Sequence, residues 1–392
     1  MIEVPHRKAY DVAVVGAGVI GLACAWRAAE AGLSTVVFDR DHPGAGASGV
    51  AAGMLAPVTE ASWGEETLLE LNLESARRWP AFDEELRARS QAATGYEPRG
   101  GLVVAVDRDD AEELRRLHDF QRSLGLDVEW LTRSDCRRLE PGLAPGIAGG
   151  IRAPQDHQVE PRALLRALAG ALERAGGELV IAADVLEIDV HGGRASAVLT
   201  AEGRVEAGHV VVAAGCWSGA IAGLDPADVP PVRPVKGQIL RLGGGRSPLA
   251  SHAVHTPRCY VVPRVSGEVV VGATVEERGF DTAVTAGGVH RLLEAAWEVL
   301  PEVGELELLE ASARLRPGTP DNLPIVGCGA VDGLVWATGH YRNGILLAPL
   351  TAGAVLATIT DDRPAPLGEG VAPGRFVAPA APRNPELAES AL

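Results

Sequence analysis

Cysteine is scarce in this chain and poorly placed for cross-linking. Cys24, Cys136, Cys216, Cys259 and Cys328 are odd in number, far apart and form no CxxC pair. That spacing argues against a disulfide framework or a zinc site and for reduced thiols in a cytosolic protein. Basic charge is also short, with 36 Lys and Arg against 52 Asp and Glu and a formal net charge of -16. A surface this acidic repels phosphate backbones, so nucleic acid is not an expected partner. No positively charged leader with an apolar core precedes Tyr10, and no export is expected. No Ser-His-Asp set, metal-ligand cluster, carboxylate pair or internal repeat stands out, and no basic amphipathic stretch suits a membrane surface. One run, residues 343–360, lacks charged side chains and approaches the length of a membrane span. It also holds Pro349, Gly344 and Gly353 and lies between Arg342 and Asp361, which reads as a buried helix, so no membrane partner is expected.

What is present is a chain of 392 residues, 46% hydrophobic and 22% charged, the balance of a globular protein with two or three domains. Residues 10–40 organise the rest. An apolar run of strand length at 12–15 enters Gly16-Ala17-Gly18-Val19-Ile20-Gly21, an Ala-rich helical segment stops at Gly32, and a second apolar run closes on Asp39. That is one βαβ unit with the glycines where a dinucleotide needs them. Gly16 allows the tight turn, Gly18 lets backbone approach a pyrophosphate, and Gly21 lets helix pack on strand. The helix N-terminus offers unpaired N–H groups and its positive dipole end to the phosphates. Asp39 stands where a carboxylate accepts from ribose hydroxyls. The motif by itself does not choose between NAD and FAD.

A loop of small residues follows at 44–55, where backbone amides can approach a ligand and Ser48 can donate to a phosphate oxygen. Residues 65–89 and 110–124 have helical spacing, with a strand at 101–106 between them. A helix starts at Glu160-Pro161 and stops at Gly176-Gly177, and 178–190 alternates as a strand around Val185. The apolar strand 209–214 runs into Gly215-Cys216-Trp217-Ser218, in the manner of a buried parallel strand whose carboxyl end faces a ligand. Residues 229–273 are β-rich, with strands at 238–242, 259–263 and 268–272. A helix at 289–300, a strand at 306–316, a strand at 334–337 and the uncharged helix complete the α/β pattern. The Pro- and Ala-rich tail after Arg363 reads as loosely ordered.

Six motifs resemble one family: GAGVIG, AAGML at 51–55, VKGQ at 235–238, CYVVPR at 259–264, LRPGTPDNLPIVG at 315–327 and GHYRNGILLAP at 339–349. They are similar to the glycine oxidases of thiamine biosynthesis, within the D-amino acid oxidase type of FAD-dependent oxidoreductase. The resemblance spans about Tyr10 to Thr360. It implies a discontinuous Rossmann-like FAD-binding domain (1–60, 151–218 and 310–362). An α+β substrate domain with a large mixed or antiparallel sheet (61–150 and 219–309) would roof the flavin, with 363–392 as the tail.

It further implies that Val19 and Ile20 lie at the pyrophosphate, Asp39 and Arg40 at the adenosine ribose, and Ala47 and Ser48 at the phosphates. Ala52, Gly53 and Met54 would lie against the flavin, Val185 would meet the adenine, and His340, Tyr341, Arg342, Asn343, Gly344, Ile345 and Leu346 would wrap the ring. Arg316 and Arg342 match arginines that hold substrate, and Tyr260 the tyrosine beside its carboxylate. Arg258, two residues earlier, departs from the pattern and leaves substrate size and charge open. The sarcosine-oxidase relatives attach flavin through a cysteine shortly before the Thr-Pro-Asp stretch. Here Cys328 falls after Thr319, so the FAD is expected to be non-covalent.

A guanidinium grips a carboxylate at two points, which makes Arg316 the expected anchor for a small amino acid. The implied activity is oxidative deamination of glycine, sarcosine or a small D-amino acid, with O2 as acceptor and H2O2 and glyoxylate or its imine as products. A cytoplasmic homotetramer is implied in the same way. The competing readings are a D-amino acid dehydrogenase that passes electrons to a quinone, a non-catalytic or RNA-modifying flavoprotein, and an NAD enzyme, which would be colourless.

Overall fold

The apolar run that opens the chain becomes the centre of a parallel sheet, because side chains buried on both faces suit a strand covered on both sides. The computed structural model describes residues 7–245, 249–361 and 367–376. Its helices are α1 (Val19–Glu30), α2 (Glu66–Ser90), α3 (Arg108–Ser123), α4 (Arg133–Leu139), α5 (Pro161–Arg174), α6 (Ala286–Val299) and α7 (Gly344–Asp361). In the first sheet the strand Ala9–Val15 runs parallel between Gly203–Val212 and Thr35–Phe38. Glu178–Val180 extends one side in parallel, and Leu334–Thr338 followed by the antiparallel Ile325–Cys328 extends the other. A hairpin of Val185–His191 and Arg194–Thr200 pairs onto the lower part of Gly203–Val212.

One face of this sheet carries α1, α2, α5 and α7 over Val12, Val14, Val37, Val211 and Val335. The opposite face, with Ala13, Val36, Phe38 and Val212, packs against Ile188, Ala195 and Val198 of the hairpin. The uncharged helix α7 is therefore core: Leu346, Leu347, Ala348 and Val355 are all buried, and Ser75 Oγ and Trp79 Nε1 of α2 donate to its Leu346 carbonyl at 2.6 and 2.8 Å.

The second sheet has eight strands in the order Glu307–Gly318, Arg233–Gly243, Val269–Gly272, Tyr260–Pro263, Ala253–His255, Gly101–Ala105, Gly149–Ala153 and Glu129–Leu131. All neighbours are antiparallel except Ala253–His255 with Gly101–Ala105. Alternation sorts its side chains, since period two sends neighbours to opposite faces. Leu240, Val261 and Val271 meet α6, whereas Ile239, Tyr260, Val262 and Val270 meet Ala52 and Met54 of the first unit.

Several boundaries differ from the sequence reading. Helix α2 was placed with the substrate unit, yet Trp79, Phe82 and Leu86 bury themselves in the α1, α5 and α7 layer. Gly149–Ala153 and Glu307–Gly318 belong to the second sheet, where their backbone groups find partners. The run 178–190 is two strands broken at 181–184, and 209–212 is the end of a ten-residue strand that stops before 213 and 214. Part of the tail is also docked: Arg375 bonds Asp321 at 2.8 Å and Val371 is buried. Residues 362–366 and 377–392 lie outside the described residues.

Leu164 on α5 is 0% exposed within the α1 and α5 core. Leu164→Ala should lower the unfolding free energy by about 2–5 kcal/mol, as expected for a buried large-to-small change, measured by urea titration of the purified protein.

Candidate active site

Gly16 takes φ 107°, and a Cβ there would stand 2.5 Å from the Ala213 carbonyl oxygen. A Cβ on Gly21 would stand 1.9 Å from the Gly16 oxygen. Only glycine lets the strand, the turn and α1 come this close. Gly18 caps α1 without a side-chain bond of its own. Instead Ser48 Oγ accepts from Val19 N at 3.0 Å, which leaves the hydroxyl hydrogen free to donate. Asp39 accepts from Ala17 N at 2.7 Å and from Asp41 N at 2.9 Å, so the second strand fixes the turn after the first. Burial pushes the Asp39 carboxyl up, and these two donors pull it back.

From this turn a cavity of about 640 Å³ runs to the second sheet, within the size range of cofactor sites. Every predicted site residue lines it except Gly21, which lies behind the wall where helix meets strand. Near Asp39 the wall includes Arg40, Val185 and Trp217, with the Arg40 guanidinium 4.0 Å from the Trp217 ring. Gly53, Met54 and residues 340–346 also line it. His340 there is buried, its Nε2 2.9 Å from Thr351 Oγ1, and burial lowers its pKa to about 3. The ring is neutral at physiological pH.

Farther along stand Arg316, Tyr260, Arg342 and Glu60. Arg316 Nη1 donates to the Thr274 carbonyl at 3.0 Å. The Tyr260 hydroxyl is raised to about 12, chiefly by burial, with Arg316 opposing the rise. Arg342 Nη2 lies 3.7 Å from Glu65 Oε2. Two glycines make this cluster possible. A Cβ on Gly237 would meet the Arg316 guanidinium at 2.4 Å, and one on Gly272 would meet the Tyr260 oxygen at 2.3 Å. Arg258 is not in the wall: it is exposed, precedes the strand that begins at Tyr260, and pairs with Glu298 of α6 at 2.8 Å.

The sequence reading overlooked Glu60, Gly237, Gly272 and Arg264 as site-building residues. Arg264 is buried and donates to the Val159 carbonyl at 3.1 Å and to that of Ala52, which ties the second sheet to the loop beside the cavity. The VKGQ and CYVVPR motifs contain Gly237 and Arg264 and were the available signal. Glu60 lay in an unremarkable loop.

A parallel sheet whose carboxyl ends open into a cleft at a glycine turn, roofed by a second sheet with arginines, defines a dinucleotide-dependent enzyme of two units. The family model described as FAD dependent oxidoreductase matches residues 11–358, and the chain belongs to this family. A glycine oxidase of Geobacillus kaustophilus is 37% identical over 362 residues, 91% of this chain and 93% of that protein. The crystal structure of glycine oxidase from that organism superposes with a TM-score of 0.87 at 35% identity, covering 95% of this chain and 100% of the other. The bifunctional protein ThiO/ThiG of Synechocystis is 35% identical over 94% of this chain, which spans 54% of that larger protein. The residues present fit FAD: small residues and amide donors stand at the turn, a carboxylate stands at the second strand, and Cys328 lies outside the cavity wall.

The loop that carries Glu60 is clamped by Asp156, whose carboxylate accepts from Val58 N at 3.0 Å and Thr59 N at 2.8 Å. Burial raises the Asp156 pKa to about 7. A carboxyl raised above its unfolded value stabilises the fold in its neutral form, so this contribution is lost as pH rises from about 4 to about 7. Urea midpoints measured across that range should show the decline in the wild type and a smaller one in Asp156→Asn.

Proposed function

We propose that the chain is an FAD-dependent glycine oxidase that converts glycine, water and O2 to glyoxylate, ammonia and H2O2. The observation that carries this reading is the cluster of Arg316, Tyr260 and Arg342 at the cavity wall continuous with the fingerprint turn. The similarity to glycine oxidases over nine-tenths of the chain supports it. Bound FAD supplies the two-electron acceptor for oxidation of the amine to an imine.

The chain's own residues hold and orient. Gly16, Gly18, Val19 and Ile20 accommodate the pyrophosphate against the N-terminus of α1, with Ala47 and Ser48 beside it. Asp39 and Arg40 serve the ribose, Val185 the adenine, and Ala52, Gly53, Met54 and residues 340–346 the ring. Arg316 forms a charge-assisted pair with the substrate carboxylate, and the Tyr260 hydroxyl, kept protonated by its raised pKa, donates a second bond. Fixing the carboxylate sets the Cα–H bond at one distance and angle, and orientation of this kind supplies much of the rate. The second sheet, through Ile239 and Val262, keeps the site dry on that side.

Oxygen as the acceptor, a cytoplasmic location and a homotetramer belong to the same proposal and rest on the resemblance. A role in thiazole formation is supported by the bifunctional relatives that join an oxidase-like half to a second half.

The test is to mix the purified protein with glycine anaerobically, follow the flavin band at roughly 450 nm, and then admit air. Bleaching followed by recovery and peroxide is expected. Bleaching without recovery would turn the reading to a dehydrogenase, and an unbleached yellow protein would remove glycine as substrate. Arg316→Ala should raise KM for glycine by about a hundredfold, the scale of a lost charge-assisted pair, while flavin content is unchanged. Gly237→Ala should act in the same direction, because the added methyl displaces the Arg316 guanidinium.

A further inference from the structure

The substrate end of the cavity has two cationic side chains, Arg316 and Arg342, and one carboxylate in electrostatic contact with both, that of Glu60. The arginines have other partners. Arg342 stands beside Glu65, which also accepts from Asn322 Nδ2 at 2.6 Å, and Arg316 donates to the Thr274 carbonyl. Glu60 is therefore not the sole acid beside Arg342, while the hydrogen bond of Arg316 goes to a neutral carbonyl. Among the described residues its carboxylate has no hydrogen-bond partner, although desolvation raises its pKa. Its side chain is half-buried in the cavity wall, and a carboxylate kept partly from water favours a ligand that brings a cationic partner.

The chain nevertheless fixes Glu60 in place. Val58 N and Thr59 N are held by the Asp156 carboxylate, Gln121 Nε2 donates to the Val58 carbonyl at 2.8 Å, and Glu60 N bonds the Ala56 carbonyl at 3.3 Å. Asp156 and Gln121 are 2% and 0% exposed. Both lie far from Glu60 in sequence, so the turn is held from distant parts of the fold. The result is a cavity wall that offers guanidinium, phenol and carboxylate groups together. An α-amino acid zwitterion carries the complementary pair of charges, and a plain carboxylate anion does not.

We infer that Glu60 is the specificity residue for the amino end of the substrate, its carboxylate accepting hydrogen bonds from the ammonium group while Arg316 and Tyr260 hold the carboxylate. This rests on the reading of the site as an amino acid oxidase and adds how it rejects anions that lack an amine. In such a site a hydroxy acid offers Glu60 one neutral O–H donor where an amino acid brings a cationic ammonium, and the charge-assisted bonds of the ammonium are the stronger ones.

The experiment compares wild type, Glu60→Gln and Glu60→Asp holoenzymes by KM and kcat for glycine, and by the competitive inhibition constant of glycolate, which has a hydroxyl in place of the amine. In Glu60→Gln, KM for glycine should rise about tenfold or more, glycolate should bind as well as to wild type or better, and flavin content should be unchanged. Glu60→Asp, which keeps the charge, should recover part of the loss. Equal weakening of glycine and glycolate would overturn the assignment and make Glu60 a support for the arginines. Unchanged constants for both ligands would overturn it too. A wild-type flavin that glycine does not bleach would instead overturn the proposed oxidase and this assignment with it, so the two failures are told apart.

Discussion

The rest of the molecule depends on how closely three pieces of backbone meet at the carboxyl end of the parallel sheet. The end of the strand Gly203–Val212 continues into Ala213, whose oxygen lies where any Cβ on Gly16 would fall, and the Gly16 oxygen lies where any Cβ on Gly21 would fall. That contact sets the angle at which α1 leaves the sheet and so directs the first-turn amides of α1 at the cleft. Helix termini are places of concentrated partial charge, and the nearby loop completes the arrangement through the Ser48 bond to Val19. Adding one methyl at Gly16 or Gly21 would alter more than a turn. It would move the origin from which the cavity is built.

The same use of space recurs on the other side of the cleft. Gly237 and Gly272 vacate the volume into which Arg316 and Tyr260 fold, so two strands of the second sheet present polar side chains without opening the sheet. Arg264 then fastens that sheet to the Ala52 and Val159 carbonyls. The two sheets are thus joined by buried polar bonds as well as by the apolar contact of Ala52 with Ile239, Val262 and Val270. Buried polar bonds fix geometry more sharply than apolar area does, which suits a site that must hold a small ligand in one orientation.

Desolvation dominates the titration of nearly every group that matters here. It raises Asp39, Glu60, Asp156 and Tyr260 and lowers His340. Asp39, Glu60, Tyr260 and His340 all line one cavity, as expected where charge is kept from water until a ligand supplies the partner. His340 is the informative exception. It lies in the cavity wall, yet burial keeps it neutral and it is bonded to Thr351.

The sequence by itself determined the βαβ unit at 10–40, the burial of α7, and which two motifs bear the arginines. The first two follow from local rules, glycine tolerance at a turn and the cost of exposing an uncharged helix. The second sheet was legible from the residues as strands, and its place as a roof came only from the family resemblance, because its register pairs residues as distant as Gly101 and Ala253. Helix α2 was assigned to the wrong unit because its charged face resembles that of any surface helix, and only its packing on α1 and α7 reveals which core its Trp79 and Phe82 join. Glu60 was silent for a similar reason. Its loop has no periodicity, and its place in the same cavity wall as Arg316 comes from Asp156 and Gln121, which reach the loop across the fold. Local sequence fixes the conformation of a turn or helix; which side chains share a cavity is decided by contacts that close long loops, and those exist only once the two sheets have packed.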